Sequence, residues 1–394
     1  MNIEKVETSL IQFVSALESL HVPYQFIDES ALIFQGVQLS QLNEVRVSVQ
    51  WDLMETLYEN VKDYDSTPLR KAKMKASFSL TYDGIPIHIE CHYNTTVRTD
   101  PYRIAIHKAE KEIWVQSIYA YLYKGRYIDE ITYYLGQLQQ ALTSRNKEAW
   151  NQDQYEALVE RYGRQREMAA KIKENPAWRL HPFYSHLGDV NGKRIVHLLG
   201  SNGIKGVALA VLGADVKIVD FSKENAEYAR VLAKEAEVTL EYIESDVFSL
   251  PPDRMESEST DIVLMELGVL HYFVSLHPLA RVIKNLLKIG GKFVLHEFHP
   301  ISTKLITSTG KKHKVTGNYF NPEIEEHQVA FSKHLKENDQ GNLTTVLQRK
   351  WTIGEVITAF AQEGLVIKSL EEEPNHKIHD MGLPKTFTLI TEKI

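Results

Sequence analysis

A glycine-rich turn and a carboxylate follow two apolar stretches in the second half of the chain. Residues 195–206 read IVHLLGSNGIKG, an apolar run that leads into a turn with Gly200, Gly203 and Gly206. Such a turn lets the backbone approach a ligand closely, and the helix that follows offers free N–H groups. Asp220 ends the next apolar run, where its carboxylate can accept hydrogen bonds from both hydroxyls of an adenosine ribose. Two plainer interpretations stay open: the glycines make only a tight turn, and Asp220 only supplies charge at a helix N-terminus.

Further polar residues follow the next two apolar runs. Ser245-Asp246-Val247 ends the third run, and Glu266-Leu267-Gly268 ends the fourth. Parallel strands place their carboxyl ends at one edge of a sheet, and open α/β sheets bind ligands at that edge. The pattern therefore predicts one binding edge that collects all of these groups.

The elements that must position these groups alternate between strands and helices. This alternation predicts an α/β fold in which a doubly wound, mostly parallel sheet carries helices on both faces. The predicted strands are Arg194–Leu198, Val216–Asp220, Thr239–Glu244, Ile262–Glu266 and Lys292–Glu297, and the helices between them are Gly206–Leu212, Lys223–Ala236 and Pro278–Leu287.

Four motifs in this order resemble the class I, seven-stranded, Rossmann-like methyltransferases that depend on S-adenosylmethionine (SAM), in particular their small-molecule branch. Asp220 matches the acid that ends the family's second strand, and Asp246 matches the aspartate after the third. Residues 268–273, GVLHYF, match the family segment G-x-L-H-x-F, and residues 287–295, LKIGGKFVL, match L-K-P-G-G. The likeness covers about residues 178–394 and ends with a predicted helix and two strands, Trp351–Glu363, Leu365–Leu370 and Thr386–Thr391.

The resemblance implies SAM as the cofactor and a set of residues that bind it. In the first motif, however, His197, Leu199 and Ser201 stand where the family has an acid and two more glycines, so we interpret this turn as a variant. A nicotinamide-dependent dehydrogenase is disfavoured because the glycine spacing is G-x-x-G-x-x-G and not G-x-G-x-x-G. The predicted cofactor-binding residues are Gly200, Ser201, Asn202, Gly203, Asp220, Phe221, Ser222, Asp246, Val247, Glu266, Leu267 and Tyr162.

Two histidines after the predicted strands have the chemistry of a general base. Methyl transfer is an in-line displacement, so the protein has chiefly to align the reacting atoms and exclude water. A hydroxyl or ammonium acceptor also needs a base, and histidine has a suitable pKa near neutral pH. The predicted catalytic residues are His271 and His299, and Glu297 is the next candidate after them. A structural role for each of these two histidines stays open. A metal site is disfavoured, because strand alternation directs the side chain of His296 away from that of Glu297.

The chain is predicted to contain two domains joined by a linker. We predict an α+β domain over residues 1–142, a helical linker over 143–177 and the methyltransferase domain over 178–394. An insertion at about residues 300–348 is predicted to be a substrate lid, or else a surface elaboration. The predicted elements of the first part are helices Val6–Leu20, Ile113–Tyr123 and Ile128–Leu142, strands Pro23–Ile27, Val45–Val49 and Ile85–His92, and a polar connector, Thr143–Gln154.

Residues 22–49 resemble nucleotidyltransferase-fold proteins, in which acids on neighbouring strands hold two magnesium ions. Asp28-Glu29-Ser30 replaces the glycine pair of that fold, Arg46 stands at its second acid, and Glu90 matches its third. Because an arginine occupies a metal-ligand position, the resemblance implies a degenerate domain used for substrate contacts or dimerisation.

Bulk composition disfavours several classes of protein. Hydrophobic residues make up 43% of the chain and charged residues 25%, without a long apolar run or a signal-like start, which predicts a cytoplasmic protein without a membrane segment. The formal charge of −7 disfavours a general nucleic-acid binder. The single cysteine, Cys91, cannot form an internal disulfide and is expected to be buried.

The function predicted from these residues is SAM-dependent transfer of a methyl group to oxygen or nitrogen of a small molecule. Two alternatives stay open: a catalytically silent SAM-binding or scaffold protein, suggested by the altered first motif, and an RNA-modifying methyltransferase. A homodimer formed through the N-terminal domain is a further hypothesis.

Overall fold

The computed structural model describes residues 3–108, 110–152, 154–309, 312–330, 344–375 and 382–394. The chain divides into two units, Met1–Gln137 with Phe320–Glu323, and Leu138–Tyr319 with Ile324–Ile394. The predicted linker, residues 143–177, therefore lies within the second unit. Within the predicted lid, residues 310, 311 and 331–343 lie outside the described residues.

A mixed seven-stranded sheet forms the centre of the first unit, in the order β3-β4-β5-β2-β1-β7-β6. Strand β2 runs parallel to β5 and antiparallel to β1, and it buries every second residue. The elements are α1 (Ile3–Ser19), β1 (Tyr24–Ile27), α2 (Asp28–Phe34), β2 (Val45–Val49), α3 (Met54–Val61), β3 (Arg70–Lys71), β4 (Lys75–Tyr82), β5 (Ile85–His92), β6 (Arg103–Lys108), β7 (Lys111–Gln116), α4 (Ile118–Tyr123) and α5 (Ile128–Trp150), whose last part belongs to the second unit.

About half of the elements of the first unit were predicted from the sequence, with one error. The predicted strands Val45–Val49 and Ile85–His92 are confirmed with the same bounds. The predicted helix Ile113–Tyr123 is wrong in its first half, because Ile113 and Val115 are buried on strand β7 while the residues between and beside them are more exposed. This alternation, with β-branched and aromatic side chains, is typical of a strand and not of a helix.

In the first unit, Arg46 lies between two buried acids, Asp28 and Glu90. The Arg46 guanidinium pairs with Asp28 at 2.5 Å and with Glu90 at 2.7 Å, and Arg126 pairs with the other Asp28 oxygen at 2.8 Å. A hydrogen bond with His88 and the charge of Arg46 lower the pKa of Glu90 to about 2, against the opposing effect of burial. The positive charge that lies between Asp28 and Glu90 therefore belongs to the Arg46 side chain.

The second unit alternates strands and helices along most of its length. Its elements after α5 are α6 (Gln154–Tyr162), α7 (Gln165–Glu174), α8 (Pro176–Arg179), α9 (Tyr184–Leu187), β8 (Arg194–Leu198), α10 (Ile204–Val211), β9 (Asp215–Asp220), α11 (Lys223–Ala236), β10 (Glu241–Glu244), β11 (Thr260–Glu266), α12 (Leu276–Leu286), β12 (Leu287–Phe298), a π-helical turn (Ile301–Leu305), β13 (Ile306–Thr309), β14 (Lys312–Val315), β15 (Ile324–His327), β16 (Val346–Arg349), α13 (Ile353–Gln362), β17 (Leu365–Pro374) and β18 (Pro384–Lys393).

The main sheet of this unit has seven strands in the order β10-β9-β8-β11-β12-β18-β17. The first five are parallel, whereas β18 runs antiparallel to both β12 and β17. Two smaller antiparallel pairs, β13 with β14 and β15 with β16, come from the insertion. The predicted doubly wound, mostly parallel seven-stranded fold, with a separate N-terminal domain, is confirmed.

Burial on both faces explains why the strands read as continuous apolar runs. In β8, Ile195 faces a cluster with α7, α10 and α11, whereas the next residue, Val196, faces a cluster with α12 and α13. Ile262 and Val263 of β11 divide in the same way. A parallel strand covered by helices on both faces has no solvent side and therefore no polar alternation. Among the described residues, no helix is both long and apolar enough to span a membrane.

Candidate active site

The turn after β8 adopts a backbone that favours glycine at three alternate positions. Leu199, Ser201 and Gly203 have φ angles of 51°, 48° and 73°. A side chain in this left-handed region costs roughly 1–2 kcal/mol, so the replacements at 199 and 201 retain the path of the turn at an energetic cost. At Gly203 a Cβ atom would also lie 2.6 Å from the Ala229 Cβ, so glycine is required there for α10 to approach α11.

Asp220, at the end of β9, has its two carboxylate oxygens fixed by the neighbouring backbone. Oδ2 accepts from the Ser201 N–H at 3.0 Å, and Oδ1 accepts from the Ser222 N–H at 2.9 Å. Each oxygen has a further lone pair, and the two can accept a pair of adjacent hydroxyls. Burial raises the pKa of Asp220 to about 6, although the backbone donors oppose this rise.

A cavity of about 980 Å³ opens at the carboxyl ends of the parallel strands. Every predicted cofactor-binding residue lines it except Gly203 and Ser222. Gly203 instead allows close helix packing, and the Ser222 hydroxyl accepts from the Asn225 N–H at 3.3 Å as the cap of α11. The predicted residues on the cavity wall are Gly200, Ser201, Asn202, Asp220, Phe221, Asp246, Val247, Glu266, Leu267 and Tyr162.

One wall of the cavity comes from the last part of α5, a helix that continues to Trp150 through most of the predicted polar connector. Gln139, Thr143, Asn146 and Trp150 line the cavity from this helix. Gln139 donates to the Tyr272 carbonyl at 2.9 Å, and the Asn146 amide exchanges hydrogen bonds with the Leu347 backbone. Sequence reasoning missed this wall. The available signal was the spacing of these four residues, which repeats every three to four positions and places them on one helical face.

His271 is the predicted catalytic residue that lines the cavity. Within the described part of the chain, neither of its ring nitrogens makes a hydrogen bond, and the ring lies 6.2 Å from that of Tyr272. Burial lowers the pKa of His271, as do the nearby Lys350 and His327, against an opposing effect of Glu297. The imidazole is therefore neutral at pH 7 and has a free nitrogen lone pair.

Glu297 and His299, the other predicted catalytic residues, do not line the cavity. Glu297 is buried and accepts from the backbone N–H groups of residues 268, 269, 270 and 298 at 2.6, 2.9, 3.2 and 2.7 Å. His299 is also buried, and its Nε2 lies 2.7 Å from Glu372 while its Nδ1 accepts from the Ile301 N–H at 3.2 Å. Both side chains are thus occupied by structural hydrogen bonds.

Tyr272 adds a phenol to the cavity wall. Its hydroxyl oxygen accepts from Trp150 Nε1 at 3.1 Å and from Gln348 Nε2 at 3.3 Å. Burial raises its pKa to about 12, so the phenol keeps its proton. With both acceptor directions used, the O–H proton is available to a bound molecule.

The residues on the cavity wall fit SAM in three respects. Asp220 suits the ribose diol, and Val247, Leu267 and Phe273 provide apolar surface beside Asp246 for a flat base. Glu266 and Lys205 form an ion pair on the same wall, which suits a group that carries both charges. The described residues contain no cluster of three or more His, Cys, Asp or Glu side chains placed to hold a metal.

Comparison with known proteins identifies a domain family for part of the second unit. Residues 199–295 match the model of the methyltransferase domain family. The chain carries a class I SAM-dependent methyltransferase domain. This domain makes the protein an enzyme with SAM as its cofactor, as the resemblance implied. No protein of curated function matches the chain.

Several solved structures are similar to part of the chain. A Listeria monocytogenes protein assigned as an S-adenosylmethionine-dependent methyltransferase is 20% identical, with a TM-score of 0.45, over 55% of this chain and 98% of its own. An S-adenosylmethionine-dependent methyltransferase from Mesorhizobium loti is 20% identical, with a TM-score of 0.44, over 56% and 100%. Geranyl diphosphate C-methyltransferase from Streptomyces coelicolor is 13% identical, with a TM-score of 0.36, over 53% and 76%.

Proposed function

We propose that this enzyme methylates an oxygen or nitrogen atom of a small-molecule acceptor that binds beside SAM in the cavity. The observation that carries the proposal is the neutral, hydrogen-bond-free His271 on the cavity wall. A hydroxyl or ammonium acceptor loses a proton during methylation, and a neutral imidazole is suited to take it near pH 7.

The size and lining of the cavity support a second small molecule next to the cofactor. Its volume, about 980 Å³, lies at the upper end of the range for small-molecule sites. Beyond the groups assigned to SAM, His327, Gln328 and Gln348 of the insertion contribute to the wall. Aromatic and amide side chains together suit a flat molecule with a few polar groups.

In the proposed reaction, SAM supplies an electrophilic methyl group on a sulfonium sulfur. Attack by the acceptor atom on this carbon would break the carbon–sulfur bond and release S-adenosylhomocysteine (SAH), which would keep the bonding electrons. His271 takes the acceptor's proton, and the Tyr272 hydroxyl orients the acceptor through a hydrogen bond. Glu297 acts as a positioning residue, because it holds the backbone of residues 268–270, directly before His271.

The test is SAH formation, measured by mass spectrometry, with SAM and a panel of phenols, amines, nitrogen heterocycles and carbon nucleophiles. We expect turnover with an oxygen or nitrogen acceptor, and a rate about 10²–10⁴-fold lower in His271→Asn, with unchanged SAH affinity. The matched control is His277→Asn, because His277 is half-exposed, pairs with Glu363 at 3.0 Å and does not line the cavity.

Three outcomes would contradict the proposal. Turnover with carbon acceptors alone, at full rate in His271→Asn, would assign a different reaction class. SAH binding without turnover on any acceptor would support the silent SAM-binding alternative. Methylation of RNA, with a binding affinity that falls steeply with salt, would support the RNA-modifying alternative.

A further inference from the structure

An ion pair on the cavity wall has a charge pattern that matches one end of the cofactor. Lys205, in the first turn of α10, pairs with Glu266 at the end of β11. Both side chains line the cavity and are mostly buried, at 22% and 14% exposure. SAM ends in an amino acid, which at neutral pH carries an ammonium and a carboxylate on adjacent atoms.

A buried histidine beside this pair has unused hydrogen-bonding groups. His197 is 1% exposed, and neither ring nitrogen has a hydrogen-bond partner within the described residues. Its Nε2 lies 3.9 Å from Glu266, slightly beyond hydrogen-bond range. The β8–β11 register explains this proximity, because His197 lies opposite Leu264, and Glu266 is two residues farther along the same face. A buried polar group without a partner calls for an explanation, and a partner that comes within reach only when a ligand binds is one.

We infer that the Lys205–Glu266 pair is the receptor for the amino-acid end of the cofactor: the two residues separate, Lys205 binds the carboxylate and Glu266 binds the ammonium. The exchange replaces one ion pair by two and leaves no charge unpaired in this buried region. A small movement of Glu266 brings its second oxygen within reach of His197. In this chain, Glu266 thereby supplies the acid that the first motif lacks at position 197. The inference rests on SAM as the cofactor and is independent of the acceptor and of His271.

The experiment is isothermal titration with three nucleosides that differ only at this end. All three are thioethers: SAH carries both charges, decarboxylated SAH lacks the carboxylate, and 5′-methylthioadenosine lacks both. We expect Lys205→Met to weaken SAH at least about tenfold and to leave the other two unchanged or tighter. Glu266→Gln should weaken the binding of both SAH and decarboxylated SAH by a similar factor and leave the binding of 5′-methylthioadenosine unchanged. That last ligand also verifies that each variant folds and keeps its adenosine site.

The matched control is Lys217→Met, since Lys217 pairs with Glu241 at 3.1 Å in the same unit and does not line this cavity. It should bind all three nucleosides as the wild type does. Unchanged SAH affinity in Lys205→Met would overturn the inference and would direct attention to Arg161 and Arg179, which also line the cavity. Equal losses for all three nucleosides would overturn it too, because the defect would then be general. Failure of the wild type to bind any of them would contradict the cofactor itself.

Discussion

At the scale of a single residue, we propose that Asp220 makes cofactor binding depend on pH. Burial raises its pKa to about 6, above the ordinary value for an aspartate, so the unliganded side chain is half-protonated near that pH. A protonated carboxyl has lost acceptor capacity toward the two ribose hydroxyls. The ligand therefore binds the ionised form better, and its affinity is lost as the pH falls through about 6.

We accordingly predict that SAH affinity is constant above about pH 7 and falls by up to tenfold per unit below about pH 6. In Asp220→Asn, which cannot ionise, affinity should be lower and independent of pH between about pH 5 and pH 8. Titration calorimetry across this range measures both curves. The same pH dependence in wild type and Asp220→Asn would assign the titration to another group.

At the scale of the element, the turn after β8 holds both Ser201 and Gly203 in a left-handed backbone conformation that favours glycine. Ser201 contributes its backbone N–H to Asp220, and a glycine can do the same without the cost of a left-handed φ. We predict that Ser201→Gly raises the free energy of unfolding by about 1 kcal/mol with SAH affinity retained. Gly203→Ala should lower it by about 1–3 kcal/mol, because its Cβ would meet Ala229.

Urea denaturation of the two variants measures both values. A destabilised Ser201→Gly, or a Gly203→Ala as stable as wild type, would show that the φ angles of the turn do not limit stability.

The loop before His271 depends on one buried carboxylate. Glu297 accepts from three consecutive N–H groups of that loop, and an amide in its place has one acceptor oxygen and a competing donor. We predict that Glu297→Gln lowers the free energy of unfolding by about 1–3 kcal/mol and reduces turnover. The control is Glu256→Gln, whose side chain is 79% exposed and should be neutral. Equal stability of the two variants would contradict the anchoring role.

At the scale of the whole molecule, sequence reasoning predicted the sheet and missed one wall of the cavity. Strands β9 and β11 are largely apolar and end in Asp220 and Glu266, and Asp246 follows β10, so topology and binding edge followed from local patterns. The last part of α5 lacks an apolar stripe, because its buried face carries Gln139 and Asn146, whose amides bond to other segments. Such partners are distant in sequence, and no local pattern identifies them.

The choice among the predicted catalytic residues also cannot be made from local sequence patterns. His271 and His299 follow strands of the binding edge and Glu297 lies at the end of one, so their positions alone do not distinguish them. The directions of their side chains distinguish them. His271 lines the cavity, whereas His299 and Glu297 do not line it and make hydrogen bonds with other parts of the protein.

We propose that SAM binds in this cavity with its ribose on Asp220. The most direct measurement is the SAH dissociation constant of Asp220→Ala by titration calorimetry, beside Asp215→Ala, an exposed aspartate at the other end of the same strand. We predict an affinity loss of about one to two orders of magnitude in Asp220→Ala, from the loss of charged hydrogen bonds worth roughly 1.5–3 kcal/mol, and no change in Asp215→Ala. Wild-type SAH affinity in Asp220→Ala would contradict the account.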